Sequence, residues 1–226
     1  MATISSPFWL LDAPAAQRFV VEAPGIKYEQ IFCPADDGHR RARRLLGCLS
    51  VVATPSAIKD FTWSWTNDIL ISQNLLNLFE RHRVTGFAAL PATVTYDKTS
   101  DLRPPDLFEL IVTGWGGLAG REAGVQLVES CPACGYKNYT IAEPSRLIDP
   151  AAWNGSDLFV VWPLPRYRFV SDRLAQIIRQ ERITGVKLTP ASEIPMKRGI
   201  EVSPGRLSYA MPADRARELG EAFGIS

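Results

Sequence analysis

The sequence predicts an α+β fold, rich in strands, with a repeated helix–turn–strand unit and a zinc-ribbon-like pair of knuckles. Three observations predict it. A long stretch recurs ninety-nine residues further on, short β-branched and aromatic runs fill most of the remainder, and "CPACG" at 131–135 has a worn partner, "CPADDG", at 33–38.

The recurring stretch is "LISQNLLNLFERHRVTGFAALPA" (70–92), which aligns without a gap with "FVSDRLAQIIRQERITGVKLTPA" (169–191). Ser72 matches Ser171, Leu75 matches Leu174, Arg83 matches Arg182, and Thr85-Gly86 matches Thr184-Gly185. The same offset sets Trp63 on Trp162. Self-similarity of this kind constrains the architecture before any single element does. Ser72 and Ser171 suit N-caps, because a hydroxyl can accept from an orphan N–H of the first helical turn. Leu75, Leu78 and Phe79, like Leu174, Ile177 and Ile178, fall at i, i+3 and i+4 and give each helix one apolar face. Gly86 and Gly185 then predict a left-handed helix stop, and "FAALPATVTY" and "VKLTPASEI" return as strands. The chain reads as one domain, 1–226, with copies of the repeat near 61–97 and 160–196.

"FWLLD", "RFVVEA", "CLSVVAT", "FTWSWT", "LFELIVTG", "VQLVES" and "LFVVW" read as strands, enriched in β-branched and aromatic residues and bounded by Pro, Gly and Asp. In "FTWSWT" the alternation predicts Phe61, Trp63 and Trp65 on one face and Thr62, Ser64 and Thr66 on the other. "TGWGGLAG" (113–120) lacks the Gly-Lys-Ser/Thr of a phosphate-binding loop and reads as a flexible hairpin. "SPGRLSY" predicts a turn and a short strand, and "ADRARELGEAF" a terminal helix.

A chain of 226 residues can bury a sizeable core, and 46% hydrophobic residues with a net charge of +1 exclude wholesale disorder. The near-neutral charge gives no bulk electrostatic case for nucleic acid or an anionic membrane. No apolar run approaches the roughly twenty residues of a membrane span, and the start lacks a basic segment before its short apolar patch, so a cytoplasmic protein without a signal peptide is expected. No GxSxG or HExxH signature is present, and His39 and His82 are the two histidines, so acid–base chemistry would rest on carboxylates and lysines. The sequence gives no positive evidence for an enzyme, and none is expected.

Cysteine usage points to metal. A CxxCG knuckle lets two thiolates face one ion, and two such knuckles make a four-thiolate zinc site. Here Cys33, Cys131 and Cys134 fit that plan, while Asp36 stands where the fourth cysteine belongs. Cys48, preceded by Gly47, is the strongest chemical candidate to complete the set, His39 the second, and Asp36 or water remain open. His82 reads as a solvated surface residue. A thioredoxin-like redox role for Cys131 and Cys134 is disfavoured, since "GYKNYTIAEP" after them reads as turn and strand, not helix. The alternative to a metal is that the degraded knuckle leaves Cys33 and Cys48 as small buried apolar groups. "HRRARR" (39–44) is a dense basic run beside this site, a solvated loop by default, and Arg40, Arg41, Arg43 and Arg44 are candidates for docking an acidic partner or a phosphate.

The order of these features, an N-terminal "FWLLD" strand, a CPxx knuckle, a helix unit, "CPACG", and then "DLFVVWPLPRYRFVSDRLAQIIRQERITGVKLTP", resembles the bacterial double-CxxCG-motif proteins, immunity proteins of contact-dependent toxin systems. The resemblance covers roughly residues 8–190 and departs at Asp36. It implies a zinc-holding protein that binds and neutralises a cognate toxin, with metal ligands carried over at Cys33, Cys131 and Cys134. Trp115, Trp153 and Tyr167 would then be candidate aromatic anchors. The rival is a zinc-ribbon module that binds nucleic acid or another protein. A pocket of convergent polar groups would instead favour an enzyme.

Overall fold

The computed structural model describes residues 7–17, 19–39, 44–97 and 101–223. In its first half are β1 (Phe8–Asp12), β2 (Val21–Glu22), β3 (Tyr28–Glu29), β4 (Arg44–Leu45), β5 (Ser50–Ala53), β6 (Phe61–Trp63), β7 (Ile69–Ser72), α1 (Gln73–Arg81) and β8 (Phe87–Tyr96). The second half contains β9 (Leu107–Val112), β10 (Trp115–Leu118), β11 (Gln126–Ser130), β12 (Lys137–Ile141), β13 (Leu158–Trp162), β14 (Arg168–Ser171), α2 (Asp172–Gln180), β15 (Lys187–Pro190), β16 (Ile200–Val202) and α3 (Ala213–Phe223). The fold is α+β and strand-rich, with a curled half-barrel sheet. A six-stranded sheet runs β2-β5-β8-β9-β7-β6 and a five-stranded sheet β10-β13-β14-β1-β15, with a three-stranded sheet β11-β12-β16 and the β3-β4 ladder beside them.

Both repeated helices form where the sequence places them. Ser72 Oγ accepts from Leu75 N at 3.1 Å, and Ser171 Oγ accepts from Leu174 N at 3.2 Å. The left-handed stop, however, is not glycine. Arg83 (φ 51°) and Arg182 (φ 54°) take it. Val84 N then bonds Phe79 O at 2.9 Å and Ile183 N bonds Ile178 O at 3.0 Å, the hydrogen bond that closes a Schellman ending. Gly86 and Gly185 are needed for another reason. A Cβ on Gly86 would lie 2.0 Å from Leu158 O, and one on Gly185 would lie 2.0 Å from Phe61 O. Each glycine permits one copy to press its backbone against the other.

Strand register extends the repeat well beyond the helices. β1 sets Phe8, Trp9 and Leu10 opposite Ser171, Val170 and Phe169, and places Trp9 and Leu10 opposite Pro190 and Thr189. β9 sets Leu107, Phe108 and Glu109 opposite Ser72, Ile71 and Leu70, and places Phe108 and Glu109 opposite Pro91 and Leu90. β1 and β9 are therefore equivalent strands, and each inserts between the two repeat strands of the other copy. The exchange is reciprocal. Thr85 N and Oγ1 donate to Asp157 Oδ2 at 2.9 and 3.1 Å, while Thr184 N and Oγ1 donate to Asp60 Oδ2 at 2.9 and 2.6 Å. One apolar cluster takes side chains from both copies, including Phe61, Trp63, Leu75, Phe79, Leu158, Val170, Leu174 and Ile178.

Four local expectations are corrected. Phe61 pairs with Ile71 and Leu158 with Val170, so Trp63 corresponds to Val160 and not to Trp162. The ninety-nine-residue offset breaks there because the second hairpin turn is two residues longer. "FTWSWT" is a strand only to Trp63. Asn67 N then turns back to Ser64 O at 3.1 Å, leaving Thr62 and Ser64 buried and Trp65 71% exposed. "TGWGGLAG" holds a buried strand, β10, running parallel to β13; a Cβ on Gly114 would meet Leu158 O at 1.9 Å. The strand expected in "SPGRLSY" lies earlier, at β16, and Leu207–Tyr209 is a 3₁₀ turn.

Candidate metal centre

The two knuckles sit at equivalent places in the copies, one between β3 and β4 and the other between β11 and β12. In the second, Cys131 N bonds Tyr136 O at 2.9 Å and Gly135 N bonds Cys131 O at 2.7 Å. Gly135 at φ 66° returns the chain, and Tyr136 N donates to Cys134 Sγ at 3.4 Å. In the first, Ala35 N donates to Cys33 Sγ at 3.3 Å, the same backbone-to-sulfur contact. Asp36, in the place of the second cysteine, accepts from Gly38 N at 2.8 Å and so bends the chain to bring His39 round.

The result is a cluster of Cys33, His39, Cys131 and Cys134, with one ligand atom from each, all within 4.8 Å of one another. Cys33 Sγ and Cys131 Sγ stand 3.7 Å apart across 98 residues of chain. Cys33 and Cys134 are buried, Cys131 and His39 partly so. These four groups can hold a metal ion. Cys48, the first candidate for the fourth place, is exposed and outside the cluster. His39 takes that place because Asp36 turns the loop, and Asp36 itself is not among the four.

His39 is prepared for ligation. Its Nε2 meets Glu129 Oε1 at 2.8 Å, and its ring stacks on Tyr136 at 4.3 Å and 6°. Nδ1 is buried with no hydrogen-bond partner. An imidazole with one nitrogen held by a carboxylate and the other bare is the usual state of a metal ligand. The neighbouring Cys33 sulfur first, then Glu129, Cys131 and the charge of Asp36, raise His39 to about 9 against the opposing effect of desolvation. The backbone N–H of Cys134 first, then that of Ala133 and the His39 and Cys33 side chains, lower Cys131 to about 6 although burial opposes them. A metal cation held here would favour the thiolate of Cys131 and take the place of any proton on His39. Glu129 and Tyr136 were not foreseen from the sequence. Their signal was position, since each stands two residues outside a knuckle cysteine.

Of the basic run, Arg40, Arg41 and Arg43 lie outside the described residues, and Arg44 is exposed on β4. The aromatic candidates divide. Trp115 is 3% exposed and belongs to the core. Trp153 packs on Phe8 at 5.1 Å and donates to Ser156 O at 2.9 Å, and Tyr167 is partly buried. His82 pairs with Glu181 at 3.1 Å, linking the two helix ends at the surface. No helix among the described residues is long and apolar enough to cross a membrane. Compared with known proteins, the chain matches no family model and no curated protein.

Proposed function

We propose that the chain is a zinc-clasped immunity protein, which binds one cognate bacterial toxin in the cytoplasm and neutralises it by stoichiometric occlusion. The observation that carries the reading is the convergence of Cys33, His39, Cys131 and Cys134 from two equivalent knuckles. Three thiolates and one imidazole are a zinc donor set, and tetrahedral zinc with Zn–S of about 2.3 Å requires sulfurs about 3.8 Å apart. The 3.7 Å between Cys33 and Cys131 meets that requirement. Zinc would be structural here, tying the two copies together. His39 would stand in for the second cysteine of the first knuckle, with Glu129 holding its other nitrogen.

The paired knuckles are also the feature shared with the double-CxxCG immunity proteins, and the resemblance supplies the toxin. A specific complex needs about 1,600 Å² of buried surface, which a strand-rich body of this size can offer. The test is co-expression with the toxin encoded beside this gene. Protection of cells that otherwise die, with co-purification at one-to-one ratio, is the expected result. Death of the cells and no complex would favour a zinc-ribbon module with a nucleic-acid or other protein partner, which binding to nonspecific DNA or RNA at low salt would then support.

A further inference from the structure

One interior register position separates the two copies. In β1, Leu10 lies opposite Phe169 and Thr189 and is buried in an apolar cluster with Phe8, Phe159 and Phe169. In β9 the same position, opposite Leu70 and Leu90, is Glu109. The scaffold therefore folds around a leucine here and has no need of a carboxyl. Where the second copy fills this face with apolar side chains, the first opens a cleft of about 930 Å³ between the β8–β9 face and the chain at 204–213. That volume is in the range of ligand pockets, roughly 300–1,000 Å³.

Two carboxyls line the cleft among the described residues, and they differ. Asp68 Oδ2 already accepts from Ser64 Oγ at 2.7 Å and Thr66 Oγ1 at 2.5 Å, and its charge faces Arg168. The Glu109 carboxyl has neither a hydrogen bond nor an ion pair within the described chain, and burial, then the charge of Asp68, push it up to about 7. A half-buried carboxyl without a donor ionises readily only when a cation is brought to it. Arg44, Arg166 and Arg168 also line the cleft, but none of them pairs with Glu109. Trp65 lines it too, largely exposed and tilted against Phe19 at 5.0 Å, so the same cleft offers an aromatic face and the unpaired acid. An aromatic face and a carboxylate together suit a guanidinium or ammonium group.

We propose that this cleft receives a lysine or arginine side chain of the protein partner, with Glu109 as its counter-ion and Trp65 as the surface against which its stem lies. The proposal rests on the toxin-binding reading for the identity of the partner, but not for the chemistry of the pocket.

Two measurements on the full chain test it. In the first, Glu109→Gln and Glu109→Leu are titrated with an inactive form of the neighbouring toxin. Glu109→Leu restores the residue of the other copy and should fold at least as stably as wild type. Binding weaker by about thirty-fold or more for both variants is expected for loss of one partner of a buried charged pair. Wild-type affinity in both variants would overturn the cleft proposal and leave the immunity reading standing. In the second, butylguanidinium and propionate are added to protein carrying ¹³C-labelled glutamate. A saturable shift of the Glu109 carboxyl resonance with butylguanidinium, absent in Glu109→Gln, is expected. No shift, or binding of propionate instead, would overturn the proposal. Should wild-type protein fail to bind the toxin at all, the immunity reading falls and the butylguanidinium result alone decides the pocket.

Discussion

Asp60 and Asp157 occupy the same place in the two copies, yet they are held differently. Each receives the Thr-Gly segment of the opposite copy through a backbone N–H and a threonine hydroxyl. Asp60 adds only a long contact from Ser72 Oγ at 3.4 Å. Asp157 adds Ser171 Oγ at 2.9 Å, Arg173 Nε at 3.0 Å and a second contact from the same guanidinium. Arg173 also donates to His82 O and Arg83 O, orphan carbonyls at the end of α1, and its counterpart in the first copy is Asn74. The same pattern recurs at Cys134 against Asp36 and at Leu10 against Glu109. A strand-exchanged duplication supplies a symmetric frame, and single substitutions turn one side into an ion pair, a mixed cysteine–histidine cluster or an open cleft.

The largest effect is expected at the cluster of Cys33, His39, Cys131 and Cys134, where the copies converge. Metal affinity in such sites is largely folding free energy, so on the zinc reading Cys131→Ser should lower metal content from one equivalent and cost several kcal/mol of stability, read by metal analysis and thermal unfolding. Cys48→Ser should leave metal content at one equivalent and change stability by no more than about 0.5 kcal/mol. Loss of metal from Cys48→Ser would restore that cysteine to the ligand set and remove His39.

The asymmetry of the aspartates comes next. Asp157→Ala strips Thr85, Ser171 and Arg173 of an acceptor and should cost about 3 kcal/mol, kept below the upper values for buried pairs because Arg173 is half-exposed. Asp60→Ala, at a partly exposed site with fewer donors, should cost about 1 kcal/mol. Urea titration of the two variants decides it, and equal losses would mean that the Arg173 contacts add nothing. The same site sets an acid limit. Burial opposes ionisation of Asp157, but the hydrogen bonds from Arg173, Thr85 and Ser171 outweigh it and hold the carboxyl below its ordinary range. A depressed folded value contributes stability that is full above the unfolded value of about 3.9 and is lost as pH falls through the folded one. Asp157→Asn should therefore flatten the acid limb of the stability curve below about pH 4, with no change in its slope near neutrality.

Much of this frame could be read from the sequence, for a physical reason. Helix caps, apolar spacing and the Thr-Gly segment are local signals, so α1 and α2 were legible from Ser72, Leu75 and Phe79 and their counterparts. The equivalence of "FWLLD" and "LFELIV" was not, because it lies in which strands pair and not in which residues match. Gly86 and Gly185 were legible as special but for the wrong reason, since the close approach they allow is to a strand distant in sequence. Three of the four members of the cysteine–histidine cluster were legible. Its fourth member depended on how Asp36 turns the loop, a geometric fact that no ranking of thiolate over imidazole supplies. Glu109 was invisible until the register showed that its counterpart is a core leucine.

The smallest test compares the two caps. Ser72 and Ser171 each accept one N–H of the first helical turn at nearly the same distance, so removal of the hydroxyl should cost each helix about 1 kcal/mol. Ser171 is buried, however, and its hydroxyl also donates to Asp157 at 2.9 Å, whereas Ser72 is partly exposed and reaches Asp60 only at 3.4 Å. Ser171→Ala should therefore cost about 2 kcal/mol against about 1 for Ser72→Ala, the difference being the hydrogen bond to an ionised carboxylate. A double-mutant cycle with Asp157→Asn locates the source: the excess should vanish once the carboxylate is gone. An excess that persists in Asp157→Asn would place it in the packing of α2 against β14 instead, and the ionic hub at Asp157 would then be smaller by one member.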